Sequence, residues 1–174
     1  MSGSQKWPAE IPLTSLYTAG PAGQKFLEAL KARGAIMACP CKECGDVYVP
    51  ARTFCERCFE RLNTQVAVGP GGTLRSFASA TEDRDGHRLR EPQMWALVQL
   101  DGATTVMLHR LIGVRDTSEI AIGNRVEAVI KTKARRSGSI LDIEGFRPAS
   151  APRQPAGSRA PKDRRGPRRG TRRG

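Results

Sequence analysis

Cys41-Lys42-Glu43-Cys44-Gly45-Asp46-Val47-Tyr48-Val49-Pro50-Ala51-Arg52-Thr53-Phe54-Cys55-Glu56-Arg57-Cys58 is the stretch that decides how this 174-residue chain is read. It holds two CxxC pairs with ten residues between them. Four thiolates at this spacing match the closed tetrahedral shell of a structural zinc, with Zn–S bonds of about 2.3 Å. Gly45 follows the first pair, where a tight turn around a metal calls for positive φ. Pro50 stiffens the loop that carries the chain back to the second pair. A disulfide framework fits poorly, because the chain has five cysteines, an odd number. A redox CxxC would need only one pair and leaves the other without a purpose. Cys39 stands just outside, either as a small apolar residue leading into the site or as a spare ligand for Cys41. The CxxC spacing and Gly45 select Cys41, so the expected ligands are Cys41, Cys44, Cys55 and Cys58.

Upstream, Pro21–Arg33 (PAGQKFLEALKAR) reads as a helix with Pro21 in its first turn and Gly34 at the left-handed cap position. Phe26, Leu27 and Leu30 form an apolar stripe that must dock either on the protein's own ribbon or on another subunit. Phe54 and Phe59 flank the second CxxC and are expected to pack around the metal, supplementing a very small core. Downstream the pattern turns to β. Val66–Val68 leads into Gly69-Pro70-Gly71-Gly72, and Thr73–Ser79 alternates. Met94–Leu100 and Thr104–Leu111 read as a pair joined at Asp101-Gly102, and Val126–Lys131 and Ile140–Phe146 complete five strands. Short loops and glycine-marked bends suit a small barrel of OB type; an SH3-like barrel or a small sandwich fits the same periodicity nearly as well.

The net charge of +12 is unevenly spread. From Arg147 to Gly174 there are ten basic residues and one acid, leaving nineteen against sixteen for the rest of the chain. Four zinc thiolates would bring that body close to neutral. The tail is rich in Arg, Pro and Gly without apolar periodicity, so it is expected to be a disordered, solubilising extension, with a weak electrostatic tether to RNA, a membrane or an acidic partner as the alternative. No apolar run approaches the roughly 20 residues needed to span a bilayer. The N-terminal MSGSQKWPAEIPL lacks a basic start and an apolar core, so a cytoplasmic location is expected. The expected division is 1–34 for the N-terminal segment and helix, 35–63 for the zinc ribbon, 64–148 for the barrel and 149–174 for the tail.

Helix, CxxCG…P…CxxC ribbon and five-stranded barrel, in that order, resemble the DUF35 family of zinc-ribbon/OB-fold proteins. The residues that carry the likeness are Phe26–Leu30 before Gly34, Cys41–Gly45, Tyr48–Arg52 and Cys55–Cys58. Gly71-Gly72-Thr73-Leu74, Gly123–Glu127 and Phe146-Arg147-Pro148 extend it to about Tyr17–Pro148. Phe26-Leu27 stands where the family often has Phe-Trp, and the basic tail is not a family feature. The resemblance implies a mainly β fold: N-terminal helix, four-Cys rubredoxin-like zinc ribbon, then an OB-fold barrel. It also implies an accessory subunit that binds a thiolase-fold partner in a hetero-oligomer and supports CoA or acyl-CoA handling in β-oxoacyl-CoA thiolysis or Claisen condensation. CoA or acyl-CoA would then bind at the interface with that partner, whose own Cys and His perform the chemistry.

The residues of this chain agree that it supplies no catalytic group. A Cys nucleophile needs an adjacent base. His87 lies in a charged turn, and His109 sits in a predicted strand, where a surface or pairing histidine is the common outcome. Nothing in the spacing brings Cys39 beside His109. Four sulfurs close the zinc shell and leave no open position for metal catalysis. Gly69-Pro70-Gly71-Gly72 lacks the Lys-Ser/Thr of a phosphate-binding loop. Arg75, Arg84, Arg88 and Arg90 alternate with acids and read as a solvated face rather than a phosphate site. The alternative function is an OB-fold single-stranded nucleic-acid-binding protein with a basic tail. Against it, the barrel offers only Phe77, Trp95 and Phe146 for base stacking, and Trp95 and Phe146 read as core.

Overall fold

The computed structural model of the chain describes Thr14 and residues 17–149, so the expected tail, apart from Ala149, and most of the N-terminal segment lie outside the described residues. Helix α1 spans Gly20–Arg33, with Pro21 in the first turn and basic Lys31 and Arg33 in the last, where they complement the helix dipole. Gly34 ends it at φ 68°, and its N–H returns to the Leu30 carbonyl at 2.9 Å. Phe26, Ala29 and Leu30 are buried and Leu27 half-buried. They pack on strand β1 (Ile36–Pro40), so the apolar stripe is covered by the protein's own ribbon. Arg136 reaches across to the helix end, donating from Nε to the Lys131 carbonyl (2.7 Å) and from Nη1 to that of Lys31 (3.5 Å).

Strand β1 pairs antiparallel with β2 (Val47–Tyr48) on one side and β3 (Val66–Val68) on the other. From β3 the chain enters the barrel: β4 (Gly71–Glu82), β5 (Arg88–Leu100), β6 (Met107–Arg110), β7 (Arg125–Ile130) and β8 (Ile143–Pro148). The sheet order is β6-β5-β4-β7-β8, all antiparallel. A parallel bridge between Leu111 and Phe146, with the Ile112 N–H on the Phe146 carbonyl at 2.7 Å, joins the two edges. The first barrel strand pairing with the second and fourth, and the third meeting the fifth in parallel, close an OB-type barrel. Strand β4 shifts register between Leu74 and Ser76, a bulge that bends it around the barrel. Leu74, Val98, Leu100, Val126, Ile143 and Phe146 fill the interior, each contributing roughly 1.5–3 kcal/mol through burial.

Four sequence expectations need correction. The third barrel strand covers only Met107–Arg110, because Thr104 and Thr105 turn away to bond the ribbon. Ile140–Asp142 is a 3₁₀ turn capped by Ser139 rather than the start of a strand. Asp142 is fully buried there, accepting N–H bonds from Ser137, Gly138 and Ser139 at 2.7–3.3 Å. Trp95 is not core: inward positions on β5 are Met94, Ala96 and Val98, so Trp95 lies on the outer face, 36% exposed. His109 is not a surface residue. It pairs with Ala96, turns inward and is only 6% exposed, set edge-on to Phe146 with ring centroids 6.2 Å apart.

Candidate metal centre

Each cysteine pair sits on a turn of the same design. The Cys41 N–H bonds the Asp46 carbonyl (2.7 Å) and the Gly45 N–H bonds the Cys41 carbonyl (2.9 Å). The second turn repeats this, with Cys55 N–H on Glu60 (2.9 Å) and Phe59 N–H on Cys55 (3.0 Å). Gly45 (φ 74°) and Phe59 (φ 60°) therefore occupy equivalent left-handed positions, one as glycine and one as an aromatic residue. Phe59 is 79% exposed and Phe54 56% exposed. Both were expected to pack around the metal; instead both are largely exposed and neither belongs to the buried core of the ribbon.

The two turns bring Cys41, Cys44, Cys55 and Cys58 together, with all four Sγ atoms within 4.8 Å of one another. Cys41 Sγ lies 3.6 Å from Cys58 Sγ, and Cys55 Sγ 3.8 Å from Cys44 Sγ. A tetrahedron with bonds of about 2.3 Å requires sulfur separations of about 3.8 Å, so the donor set fits a zinc ion in size and in chemistry. Cys55 is fully buried and Cys41 nearly so, Cys44 is half-exposed and Cys58 exposed, which places one edge of the centre at the surface. Cys39, on β1 and paired with Tyr48, is buried outside the cluster, as the sequence implied. Burial pushes its thiol pKa up, against the needs of a nucleophile.

The surroundings favour the thiolate at Cys55. The Tyr48 hydroxyl lies 3.2 Å from its Sγ. That bond first, then backbone N–H groups of Cys58 and Arg57, hold the Cys55 pKa down at about 6 in spite of burial. Tyr48 itself is shifted upward, chiefly by the same bond, so the phenol stays protonated and donates. Cys44 is pushed up to about 12, first by its hydrogen bond with Cys58. Arg52 lies 5.3 Å above the Tyr48 ring and pairs with Glu56, and Arg57 meets Asp46 at 3.2 Å. Sequence reasoning missed Tyr48; its place between two apolar residues seven positions before Cys55 was the signal available.

The remaining candidates scatter. His87 is exposed at the tip of the β4–β5 hairpin, its Nδ1 3.4 Å from Asp83. Arg84 pairs with Asp85 at 3.5 Å and Arg75 Nε donates to Gln99 at 2.8 Å, so the hairpin arginines do not converge. His109 lies in the barrel and Cys39 in the ribbon sheet, in separate sheets.

Two family models match this chain in sequence. Residues 29–64 match the ChsH2 rubredoxin-like zinc ribbon domain, and residues 65–131 the ChsH2 C-terminal OB-fold domain. Among solved structures, a DUF35-family protein of unknown function from Sulfolobus solfataricus is 25% identical with a TM-score of 0.55. The match covers 74% of this chain and 84% of that one. The Ltp2–ChsH2(DUF35) aldolase shares the fold at a TM-score of 0.52 and 22% identity, over 72% of this chain and 93% of that one. No curated protein matches.

Proposed function

We propose that this chain, which belongs to the ChsH2-type zinc-ribbon/OB-fold family within DUF35, is the non-catalytic partner of a thiolase-fold acyltransferase. In this reading Cys41, Cys44, Cys55 and Cys58 hold one structural zinc, residues 35–63 form the ribbon and residues 64–148 the barrel. The bound ion would offset half the charge of the four thiolates and fix them in place, supplying folding energy rather than a reactive water. Residues 149–174 form a basic extension to that body. The complex works in the cytoplasm and handles β-oxoacyl-CoA esters by thiolysis or Claisen condensation, with the CoA thioester lying along the interface.

The observation that carries this reading is the joining of helix, ribbon and barrel in one chain, a fold shared with the solved Ltp2–ChsH2(DUF35) aldolase. No helix among the described residues is long and apolar enough to cross a membrane.

Co-expression with a thiolase-fold protein, sought first among the genes beside its own, tests the proposal. The two should copurify, and acyl-CoA turnover should need both. Salt-sensitive binding to single-stranded nucleic acid that survives deletion of residues 149–174, with no such complex, would install the OB-fold nucleic-acid reading instead.

A further inference from the structure

Tyr48 faces the metal centre, while its two neighbours face the barrel. Val47 N–H bonds Thr104 Oγ1 at 2.9 Å, and Thr104 N–H returns to the Val47 carbonyl at 3.0 Å. Val49 N–H bonds Thr105 Oγ1 at 2.9 Å, and that hydroxyl lies 3.4 Å from the Val49 carbonyl. Thr104 Oγ1 also reaches Asp46 at 3.2 Å. Thr104 and Thr105 belong to the segment joining β5 to β6, the second and third strands of the barrel. A two-residue strand thus has one side on Cys55 and the other on the barrel. Tyr48 is 1% exposed and its hydroxyl meets the one ligand of the four that is fully shut off from water. Cys55 therefore depends on the protein for this hydrogen bond, whereas Cys58 can take one from solvent.

We propose that Tyr48 is a positioning residue for the zinc shell and that, through strand β2, it makes the shell and the Thr104–Thr105 segment of the barrel a single cooperative unit. This rests on the four-cysteine zinc assignment. Hydrogen bonds to a metal ligand fix its orientation and spread its charge, and removing one typically costs 10–100-fold in metal affinity. The pins at Val47 and Val49 carry that restraint into the barrel, because β2 is too short to shift on one side without shifting on the other.

The test uses the full chain loaded with zinc, with Tyr48→Phe and the pair Thr104→Val, Thr105→Val as variants. Release of zinc to a chromogenic chelator should be about 10–100-fold faster in Tyr48→Phe. Its cobalt-substituted form should show a shifted thiolate-to-metal charge-transfer band. The threonine pair, which touches no ligand, should also release zinc faster, by about tenfold for the loss of the two bonds that pin the Val47 and Val49 N–H groups. Chelation should raise amide exchange at residues 103–106 while the β7–β8 ladder stays protected. Wild-type release rates and an unchanged cobalt spectrum in Tyr48→Phe overturn the positioning role. Unchanged release in the threonine pair, or unchanged exchange at 103–106, overturns the coupling. A wild-type chain that binds no zinc removes the assignment itself, and this inference with it.

Discussion

Leu30→Ala measures how firmly the N-terminal helix belongs to this chain's own core. Leu30 is fully buried between α1 and the ribbon, in the cluster that includes Phe26, Ile36 and Ala38. The substitution removes three carbons, about 2.4 kcal/mol of transfer energy at roughly 0.8 kcal/mol each. A cavity term of about 24 cal/mol per Å³ adds about 1 kcal/mol where the site cannot collapse. Collapse is restrained here, because the Arg136 guanidinium, bonded to Lys131 and Lys31, pins the helix end against the barrel. The sum is a loss of about 3–4 kcal/mol. Taking about 130 residues for the folded body and an unfolding entropy of about 2.1 cal/mol/K per residue, Tm should fall by roughly 11–15 °C. Leu27→Ala, at a half-buried position, should cost about a third of that. Scanning calorimetry at fixed zinc is the assay. A Leu30→Ala shift below about 3 °C, or one no larger than that of Leu27→Ala, would mean that the helix finds its cover on another molecule.

Cys58→Ser should lose the single zinc per chain in elemental analysis and melt the ribbon; full metal content would transfer the ligand role to another residue. His109 makes stability depend on pH. Burial lowers its pKa below the usual histidine value, against a smaller upward pull from the Ile140 backbone, and its Nδ1 has no hydrogen-bond partner among the described residues. The unfolded chain therefore binds this proton more readily, so the contribution is present above about pH 6.5 and is lost as pH falls toward the native pKa. Denaturant melts from pH 7.5 to 5.0 should lose that slope in His109→Phe; an equal slope in both proteins refutes the assignment. At the paired turns, Gly45→Ala should cost about 1–2 kcal/mol, since φ is 74°. Phe59→Gly should stay within about 1 kcal/mol of wild type, the relief at φ 60° offsetting glycine's extra freedom when unfolded. Urea titration separates the two, and the opposite ranking would mean that the turns are not equivalent.

What the sequence made legible was whatever a local pattern determines. Two CxxC pairs at fixed spacing name four ligands without the fold, because metal geometry constrains the chain over eighteen residues. Pro21 and Gly34 bracket a helix for reasons internal to it. The strands containing 94–100 and 126–130 follow from short β-forming runs bounded by turn residues. What escaped depended on partners far away in sequence. Thr104 and Thr105 continue an alternating run, yet they leave the strand because Val47 and Val49, nearly 60 positions earlier, offer them backbone groups. Trp95 lies amid apolar residues in a strand whose outer side is also partly apolar, with Leu97 half-buried and Leu108 exposed beside it, so composition could not tell in from out. Closure of the barrel rests on the parallel contact of Leu111 with Phe146, which no periodicity announces.

The placement of the reactive side chains explains why the proposed function assigns chemistry to a partner. A nucleophile–base pair needs a thiol with a depressed pKa beside an accessible imidazole. In this chain the thiol held low, Cys55, is turned toward three other sulfurs and a phenol. The thiol left over, Cys39, is pushed up by burial. His109 is enclosed with Phe146 in the barrel, and His87 stands on a hairpin tip beside Asp83. Asp142, the buried carboxylate, has its oxygens taken by the 137–139 backbone, which lowers its pKa and holds it ionised as a loop anchor. Among the described residues, Cys55, Cys39, His109 and Asp142 are thus enclosed in the structure, and His87 pairs with Asp83 at the surface. Phe54 and Phe59, on either side of the second cysteine pair, are left exposed, and Phe59 holds a left-handed backbone that glycine would occupy more easily, so the ribbon presents apolar surface beside its metal centre that its own folding does not bury.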